Sequence, residues 1–558
     1  MAGPYTIGVD FGTESGRAVL VDVTNGNEIA SSVYRYPHGV IDERLPEGGP
    51  LLPPDFALQD PSDYLRTLEQ TIPATLAESG IEPEQIIGIG TDFTACTILP
   101  TDKQGRPLCW DNRFRPNPHS WVKLWKHHAA QPEATALNAA ALQLKDSFLP
   151  YYGGKISSEW FFPKAWQILD EAPGIYEATE RLIEAADWIV WQLSGTESRN
   201  ACTAGYKALW NKETGFPSSD FLATLDPRLK DIVATRMSTH IVPPGTRIGS
   251  LSREWAEKLG LPAGIAIAAG HIDAHVAVPA TSVVTPGKMV LVMGTSICHM
   301  ILSREKRAVE GMCGVVADGI VPGFYGYEAG QPALGDIFAW FVENGVPSLY
   351  EAEAIQRELS VYELLEERAS ELSPGESGLL ALDWWNGNRS VLVDADLSGL
   401  IVGYTLMTKP EEIYRALFEA TAFGTNRIIK AFEDAQVAVD ELYVCGGLPE
   451  RSPLLMQIYA DVTGKPLRVA ASSQTSALGA AMFAAVAAGP HKGGCETIVE
   501  AAAAMARLKD HVYVPNADHH RVYQLLYAEY MQLHDSFGRG IHNTMKKLKR
   551  LRDETTAH

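Results

Sequence analysis

The segment GVDFGTESGR, residues 8–17, places one aspartate at the end of an apolar run and follows it with a turn of small residues. Alternating apolar residues predict a strand over residues 5–10, a turn over residues 11–15 and a second strand over residues 17–22. The three parts form a β-hairpin around Gly12. Glycine and hydroxyl side chains in such a turn leave backbone N–H groups accessible, so a phosphate can approach closely.

A second hairpin of the same kind is predicted near the middle of the chain. Residues 288–293 and 297–302 have the pattern of strands on either side of Gly294, Thr295 and Ser296. Gly294 follows Gly12 by about half the length of the 558-residue chain. The repeat predicts two related α/β domains, residues 1–282 and 283–558, with the boundary near Ser282.

Further strands and helices fit this two-domain arrangement. Strands are predicted over residues 86–92, 265–270 and 441–445, and helices over residues 410–432, 453–463 and 475–488. A last helical stretch is predicted over residues 518–553, and its end is rich in lysine and arginine. Such a basic end is interpreted as a solvated helix terminus, although a partner site is the alternative.

Composition limits the classes of partner. The 47 lysines and arginines against 68 aspartates and glutamates give a net charge of −21, which opposes binding to nucleic acid or to an anionic membrane. Seven scattered cysteines predict neither a disulfide framework nor a zinc site, so a reducing cytoplasm is expected. No signal peptide or membrane-spanning run is recognised. The sequence leaves open whether the chain forms a homodimer.

The two hairpin turns, together with Gly446 and Gly447 after a third strand, predict a nucleotide held between the domains. In this interpretation Asp10 holds Mg²⁺ through oxygen ligands, while the turn that follows it binds phosphate. An ordinary β-turn is the alternative for one Asp-x-Gly-Thr segment considered alone. Neither a Walker lysine motif nor a Rossmann glycine motif is present, so another phosphate-binding architecture is expected.

One acid is the candidate for proton transfer. His271, Asp273 and His275 have a spacing that occurs among metal ligands, but we favour Asp273 as a carboxylate at a strand end, with the histidines packing locally. A carboxylate there can accept a proton from an alcohol that attacks phosphorus. The segment 121–128, which contains Trp121 and Trp125, is either a site for a hydroxyl-rich ligand or an amphipathic helix that buries both rings.

Taken together, these segments resemble the FGGY family of carbohydrate kinases along nearly all of the chain. Residues 10–17 resemble the family's first phosphate motif, residues 294–296 the second, residues 445–448 the adenosine motif and residues 399–419 the C-terminal signature. The resemblance implies an α/β fold, the two-domain actin-like ATPase (ribonuclease H-like) fold, with a catalytic cleft between the domains. It also implies that ATP and Mg²⁺ are used to phosphorylate a sugar.

The resemblance extends to individual site residues. Longer blocks over residues 91–96, 119–128, 153–160, 202–207 and 326–331 are similar to family members that act on a ketopentose. By that resemblance the ketopentose contacts Ala95, Trp125, Lys207, Asp273 and Glu328, and Asp273 deprotonates the 5-hydroxyl. Implied nucleotide contacts are Gly12, Thr13, Ser15, Arg17, Gly294, Thr295, Ser296, Gly446 and Gly447, and implied metal contacts are Asp10 and Asp273. The sequence departs from the family pattern at His271 and at Arg451-Ser452.

Three other functions are weighed against this one. Another sugar or polyol kinase of the same family is the nearest, because the phosphate motifs are shared. An actin-like or chaperone-like ATPase would share the hairpins but need no sugar site. A sugar sensor without catalysis would lack the base or a phosphate turn, whereas Asp10, Thr13, Gly294 and Asp273 are all present.

Overall fold

The computed structural model describes residues 3–145 and 147–556. Its strands are β1 (Tyr5–Phe11), β2 (Ser15–Asp22), β3 (Glu28–Arg35), β4 (Leu58–Gln59), β5 (Ile86–Phe93), β6 (Ile98–Thr101), β7 (Val122–Lys123), β8 (Arg181–Glu184), β9 (Arg199–Asn200), β10 (Ile241–Val242), β11 (Arg247–Ser250), β12 (Ala266–Ala268), β13 (His271–Ile272), β14 (Gly287–Met293), β15 (Ile297–Ser303), β16 (Gly314–Ala317), β17 (Tyr325–Gln331), β18 (Leu380–Leu382), β19 (Leu400–Val402), β20 (Val439–Cys445), β21 (Leu467–Ala470) and β22 (Leu508–Tyr513).

Helices cover these strands and connect them. They are α1 (Pro61–Ser79), α2 (Gln131–Ala141), α3 (Phe161–Glu171), α4 (Pro173–Ala178), α5 (Ala185–Ser194), α6 (Ala201–Lys207), α7 (Ser219–Leu225), α8 (Ile232–Arg236), α9 (Arg253–Leu259), α10 (Asp273–Ala280), α11 (Gly335–Gly345), α12 (Ser348–Gln356), α13 (Val361–Ser370), α14 (Pro410–Asp434), α15 (Leu448–Arg451), α16 (Pro453–Thr463), α17 (Thr475–Ala488), α18 (Ile498–Met505), α19 (Ala517–Gly538) and α20 (Thr544–Thr556). The bounds of α14, α16 and α17 confirm three helices predicted from the sequence.

Two large sheets share one strand arrangement. The first runs β11-β12-β5-β1-β2-β3, and the second runs β16-β17-β15-β14-β20-β21-β22. In each sheet a hairpin, β1–β2 or β14–β15, adds a third antiparallel strand on one side and two parallel strands on the other. Both predicted hairpins are confirmed, and the repeated topology is the structural counterpart of the repeat in the sequence.

Helices α10 and α17 join the two sheets. Although α17 lies in the second half of the sequence, it packs on β1 and β5 of the first sheet, and glycines make this possible. A Cβ atom on Gly8 would lie 1.8 Å from the carbonyl oxygen of Ala477, and one on Gly90 would lie 2.0 Å from that of Ala480. We call this close backbone contact the α17 seat. The predicted boundary near Ser282 stays a prediction.

The α17 seat continues into a crossing between the two helices. A Cβ atom on Gly479 of α17 would lie 2.0 Å from the carbonyl oxygen of Val276 of α10. Around this crossing one apolar cluster combines Val19 from the first sheet with Val290 from the second. The two sheets are therefore connected by a shared core as well as by the chain itself.

The C-terminal prediction was wrong in one respect. The stretch predicted as one helix over residues 518–553 is two helices, α19 and α20, and the chain between them contains Gly540 at φ +87°. The basic residues of α20 form ion pairs with an acidic loop of the second half: Lys549 lies 2.6 Å from Asp396, and Lys546 pairs with Asp394.

Two further findings concern the molecule as a whole. All seven cysteines are free, and five of them are buried. No helix within residues 3–145 and 147–556 combines the length and the apolar character needed to cross a membrane.

Candidate active site

Three carboxylates meet at one edge of the first sheet. Asp10 and Asp92 stand opposite each other near the ends of the parallel strands β1 and β5, and β13 pairs with the end of β5 through His271. Asp273 follows β13 directly as the first residue of α10. Sequence analysis missed Asp92 as a site residue, although its place at the end of a predicted strand was the signal that could have identified it.

Negative charge at this edge is only partly compensated. Burial raises the pKa of Asp10, while Arg17, whose Nε lies 3.3 Å from Oδ2 of Asp10, opposes the increase. Burial and the charges of Asp10 and Asp273 raise the pKa of Asp92 well above its usual value. Neither carboxylate oxygen of Asp92 accepts a hydrogen bond from any described donor. These are surroundings that a cation would stabilise.

The same carboxylates do not form a complete metal-binding cluster by themselves. Across the described part of the chain, no three histidine, cysteine, aspartate or glutamate side chains come close enough to hold a metal ion. A magnesium ion at this edge would therefore take most of its ligands from water and from a bound phosphate, as Mg²⁺ commonly does. The unbonded oxygens of Asp92 and the nearby Asp10 fit such a hydrated ion.

Asp273 is a buried carboxylate whose pKa is raised. Its Oδ1 accepts a hydrogen bond of 2.6 Å from the backbone N–H of Ala274. Burial, with a further contribution from the charge of Asp10, raises the pKa of Asp273 to about 7. A carboxylate that titrates near neutral pH is a stronger proton acceptor than an ordinary one and is still ionised at pH values above 7.

Lys207 and Glu328 connect the two halves of the molecule. The ammonium group of Lys207, at the end of α6, lies 2.8 Å from a carboxylate oxygen of Glu328 in β17, and each residue is 6% exposed. His275 places Nε2 3.3 Å from the same carboxylate. The Trp160 ring lies beside this pair, 5.6 Å from Nζ of Lys207. Sequence analysis missed the contact of His275, because it had assigned both histidines to local packing.

Both members of the pair are charged. Burial by itself would raise the pKa of Glu328, but Lys207 and His275 outweigh it and hold that pKa far below the usual range. Burial likewise opposes ionisation of Lys207, but the carboxylate of Glu328 raises the Lys207 pKa above its ordinary value. A buried ion pair of this kind offers both a hydrogen-bond donor and an acceptor to a polar ligand.

The first hairpin turn contacts the tryptophan segment. Trp125 donates from Nε1 to Oγ1 of Thr13 at 3.0 Å, and Gln59 donates from Nε2 to the carbonyl oxygen of Thr13 at 2.7 Å. Within the turn, the N–H of Gly12 donates to the carbonyl oxygen of Ser15 at 2.9 Å. Segment 121–128 is not a helix, so the helical alternative was wrong: the short strand β7 follows Trp121, which is buried, while Trp125 is half-buried.

The second hairpin turn lies next to the Gly446-Gly447 turn. Strands β14 and β20 run parallel with Val292 opposite Cys445, so both turns leave the same edge of the second sheet. Gly446 has φ +103°, and a Cβ atom there would lie 2.2 Å from the carbonyl oxygen of Met293. Gly294 and Thr295 are exposed. Backbone groups of both turns are thus accessible from one side.

The two sheet edges also approach each other. Ser476, in the first turn of α17, donates a hydrogen bond of 3.1 Å from Oγ to the carbonyl oxygen of Asp273. The structure therefore brings together Asp10, Arg17, Lys207, Asp273 and Glu328 of the predicted set, and it joins Thr13 to Trp125. Their roles stay predictions.

Other predicted residues have less defined surroundings. Ala95 is half-buried in the loop after β5, beside Cys96, whose carbonyl oxygen accepts a hydrogen bond of 2.8 Å from Nζ of Lys164. Ser15 opens β2 and bonds through its backbone. His271 is buried, and its ring stacks on Phe483 with centroids 5.3 Å apart.

Comparison with known proteins places this geometry in a family. The FGGY family of carbohydrate kinases, N-terminal domain, matches residues 5–279, and the C-terminal domain of the same family matches residues 289–488. The chain is 59% identical over 558 residues to a ribulokinase of Geobacillus thermodenitrificans, covering 100% of this chain and 99% of that protein. It is 58% identical over 552 residues to a ribulokinase of Halalkalibacterium halodurans, covering 99% and 98% respectively.

Solved structures agree on the fold. The xylulose kinase of Rhodospirillum rubrum superimposes with a TM-score of 0.79 at 21% identity, covering 95% of this chain and 98% of that one. The predicted two-domain actin-like α/β fold is confirmed. Because both family domains match in order and the fold agrees over nearly the whole length, the chain belongs to the FGGY family of carbohydrate kinases.

Proposed function

We propose that this protein is a ribulokinase, which transfers the γ-phosphoryl group of ATP to the 5-hydroxyl of L-ribulose and releases ADP. The observation that carries the proposal is the identity of 58% to 59% to proteins named ribulokinase, maintained over 99% to 100% of this chain. The site supports it independently, because a carboxylate with a pKa of about 7 lies near a buried ion pair. These are groups suited to a polar, uncharged sugar.

The proposed reaction begins with Asp273. A primary alcohol is a very weak acid, so its oxygen attacks effectively only if the proton is removed while the new bond forms. In our proposal the Asp273 carboxylate accepts the proton of the 5-hydroxyl as that oxygen bonds to the γ-phosphorus. The bond from phosphorus to the ADP oxygen breaks, and its electrons leave with ADP.

The sugar is held by groups from both domains. Lys207 can donate hydrogen bonds to sugar oxygens, and the carboxylate of Glu328 can accept them from sugar hydroxyls. Trp125 offers the sugar an apolar wall. Since Lys207 and Glu328 belong to different halves of the molecule, sugar binding and approach of the domains favour each other, and water is excluded from the phosphoryl group.

ATP occupies the hairpin turns in this proposal. Backbone N–H groups and hydroxyls at residues 12–15 and 294–296 bind the phosphates, Arg17 adds a positive charge, and Gly446-Gly447 accommodates the adenosine. Asp10, Asp92 and Asp273 are the carboxylates that would hold a Mg²⁺ ion bound with ATP, directly or through water, and such an ion would neutralise phosphate charge. The cytoplasmic location, the homodimer and the lack of nucleic-acid or membrane partners stay predictions from the sequence.

A substrate panel tests the proposal. ADP release would be measured with L-ribulose, D-ribulose, D-xylulose and ribitol under identical ATP and Mg²⁺ concentrations. We expect the highest kcat/KM for L-ribulose, with a phosphorylated sugar formed in equal amount to ADP. A higher kcat/KM for another member of the panel would favour a different kinase of the family. ATP hydrolysis that does not depend on any sugar would favour an actin-like or chaperone-like ATPase instead.

A further inference from the structure

Arg389 lies on the same face of β17 as Glu328, held there by its neighbour in the chain. The backbone N–H of Ser390 donates to the carbonyl oxygen of Gly330 at 3.0 Å, and Oγ of Ser390 accepts from the N–H of Gly330 at 3.1 Å. A Cβ atom on Gly330 would lie 3.1 Å from Cδ of Arg389, so the arginine side chain covers this glycine. Residues 328 and 330 of β17 lie on the same face of the strand, because side chains alternate between the two faces. Arg389 is therefore on the side of β17 that carries the carboxylate of Glu328.

The guanidinium of Arg389 has no hydrogen-bond or ion-pair partner in the part of the chain that the structure describes. The residue is half-buried, yet it forms no hydrogen bond or ion pair with any residue in 3–145 or 147–556. The other cations of the cleft are paired, Arg17 with Asp10 and Lys207 with Glu328. A half-buried guanidinium without acceptors loses hydrogen bonds to water and regains none, unless a ligand supplies the acceptors.

Two carboxylates act on Arg389 from opposite domains without bonding to it. Burial lowers the pKa of the guanidinium, but Glu159 of the first half, the thiols of Cys313 and Cys298, and Glu328 of the second half together outweigh burial and raise that pKa. Glu328 is already bonded to Lys207, and Glu159 has the ring nitrogen Nε2 of His128 3.8 Å from its carboxylate. Arg389 therefore lies in the field of carboxylates from both halves of the molecule, while its own donors stay available to a ligand.

We propose that Arg389, which covers Gly330 on the Glu328 face of β17, binds a carbonyl or hydroxyl oxygen of the ketopentose and so contributes to sugar affinity and selection. The inference rests on the proposed function, because it needs a sugar in the cleft. A guanidinium presents several N–H donors in one plane and no acceptor, so it fits oxygens of an uncharged sugar that lack another donor. Lysine, with a compact ammonium, would replace it only in part.

The test compares Arg389→Gln and Arg389→Lys with the wild type and with Arg357→Gln as a matched control. Arg357 belongs to the same half of the molecule, lies on its surface and pairs with Glu367 at 2.8 Å, outside the cleft. We expect Arg389→Gln to raise the KM for L-ribulose by about 10- to 100-fold, the size of one hydrogen bond to a charged group. The KM for ATP should stay within about twofold, kcat should change less than the sugar KM, and Arg389→Lys should be intermediate.

Several outcomes would overturn the inference. An unchanged sugar KM in Arg389→Gln would do so, and so would a large loss of kcat at unchanged sugar KM, which would assign Arg389 to the transferred phosphoryl group. If Arg389→Gln does not fold, as judged by thermal melting, Arg389→Lys decides by the same two constants. A wild-type protein that does not phosphorylate L-ribulose would refute the proposed function instead, and the Arg389 variants would then be compared on whichever panel sugar the wild type accepts.

Discussion

The pKa of Asp273 connects one side chain to the pH range of the reaction. Because burial raises that pKa to about 7, the carboxylate is protonated at lower pH and cannot accept the hydroxyl proton. We expect kcat/KM for L-ribulose to rise about tenfold per pH unit below about 7 and to level off above it. Steady-state rates measured at saturating ATP over this range provide the check, and a profile that stays level down to about pH 5.5 would contradict the assignment.

The control for this pH profile removes the titrating group and keeps its shape. Asp273→Asn should lower kcat by about 10²- to 10⁴-fold while the KM for L-ribulose changes little, and its residual rate should no longer follow the acid limb. Asp396→Asn makes the same chemical change at a surface carboxylate that pairs with Lys549, and it should behave as the wild type. Full turnover in Asp273→Asn would assign the proton to another group.

At this scale the sequence could identify residues that belong to distinctive segments, but not those that depend on strand pairing. Asp10 and Asp273 were identified as acids at the ends of predicted strands, whereas Lys207 was identified only through the resemblance of its segment to the family. The proximity of Asp92 to Asp10 follows from the parallel register of β5 and β1, which no local pattern specifies. Arg389 reaches β17 through a long-range bond between Ser390 and Gly330, so nothing near it in the sequence marked it.

Among the secondary-structure elements, the crossing of α10 and α17 is the most sensitive to added volume. Gly479→Ala would place a methyl group 2.0 Å from the carbonyl oxygen of Val276, so the helices must separate. We expect the free energy of unfolding to fall by about 1–3 kcal/mol or more, and turnover to fall as well because Asp273 opens α10. Chemical denaturation and the ADP-release assay measure the two effects.

Gly174 supplies the matched substitution for this experiment. It lies in α4 with an ordinary φ, and a Cβ atom there would meet nothing within 4 Å. Gly174→Ala should leave activity unchanged and leave stability equal or higher by about 0.5–1 kcal/mol, because alanine loses less backbone entropy in a helix. Equal losses of stability and activity in Gly174→Ala and Gly479→Ala would show that the crossing of α10 and α17 is no more sensitive to added volume than an open helical position.

Periodicity predicted the elements well where an apolar face is continuous, and poorly where it is interrupted. Helix α14 keeps its apolar spacing over 25 residues, so its existence and type were clear from the sequence. The break between α19 and α20 depends on Gly540, whose positive φ is a backbone property that spacing does not reveal. Segment 121–128 has tryptophans four residues apart, which is compatible with a helix, but its neighbours pair it with β4 and β6 instead.

At the scale of the whole molecule, the two domains share a helix and an apolar core, which are features that usually lie within a single domain. Helix α17 covers the first sheet from the second half, and one apolar cluster contains side chains of both sheets. We therefore expect a single cooperative unfolding transition in differential scanning calorimetry, since neither domain keeps its core after the other unfolds. Two well-separated transitions would contradict this coupling.

The sequence predicted this molecule as two repeated domains, and the repeated strand order agrees with that prediction. The sequence did not indicate that α17 would pack on the opposite sheet. An alanine-rich helix has no preferred side, so its partner is decided by the glycines of β1 and β5 that meet it, residues far away in the chain.

The α17 seat also restricts how the domains can move. Backbone atoms of α17 and the first sheet are in direct contact, and α17 meets α10 at Gly479 in the same way. A translation of α17 by one residue would move Gly479 away from Val276 and bring a residue with a side chain to that contact, where it would overlap the α10 backbone. Val276 lies only three positions after Asp273 in α10, so any motion that separates the two helices would also displace the proposed base.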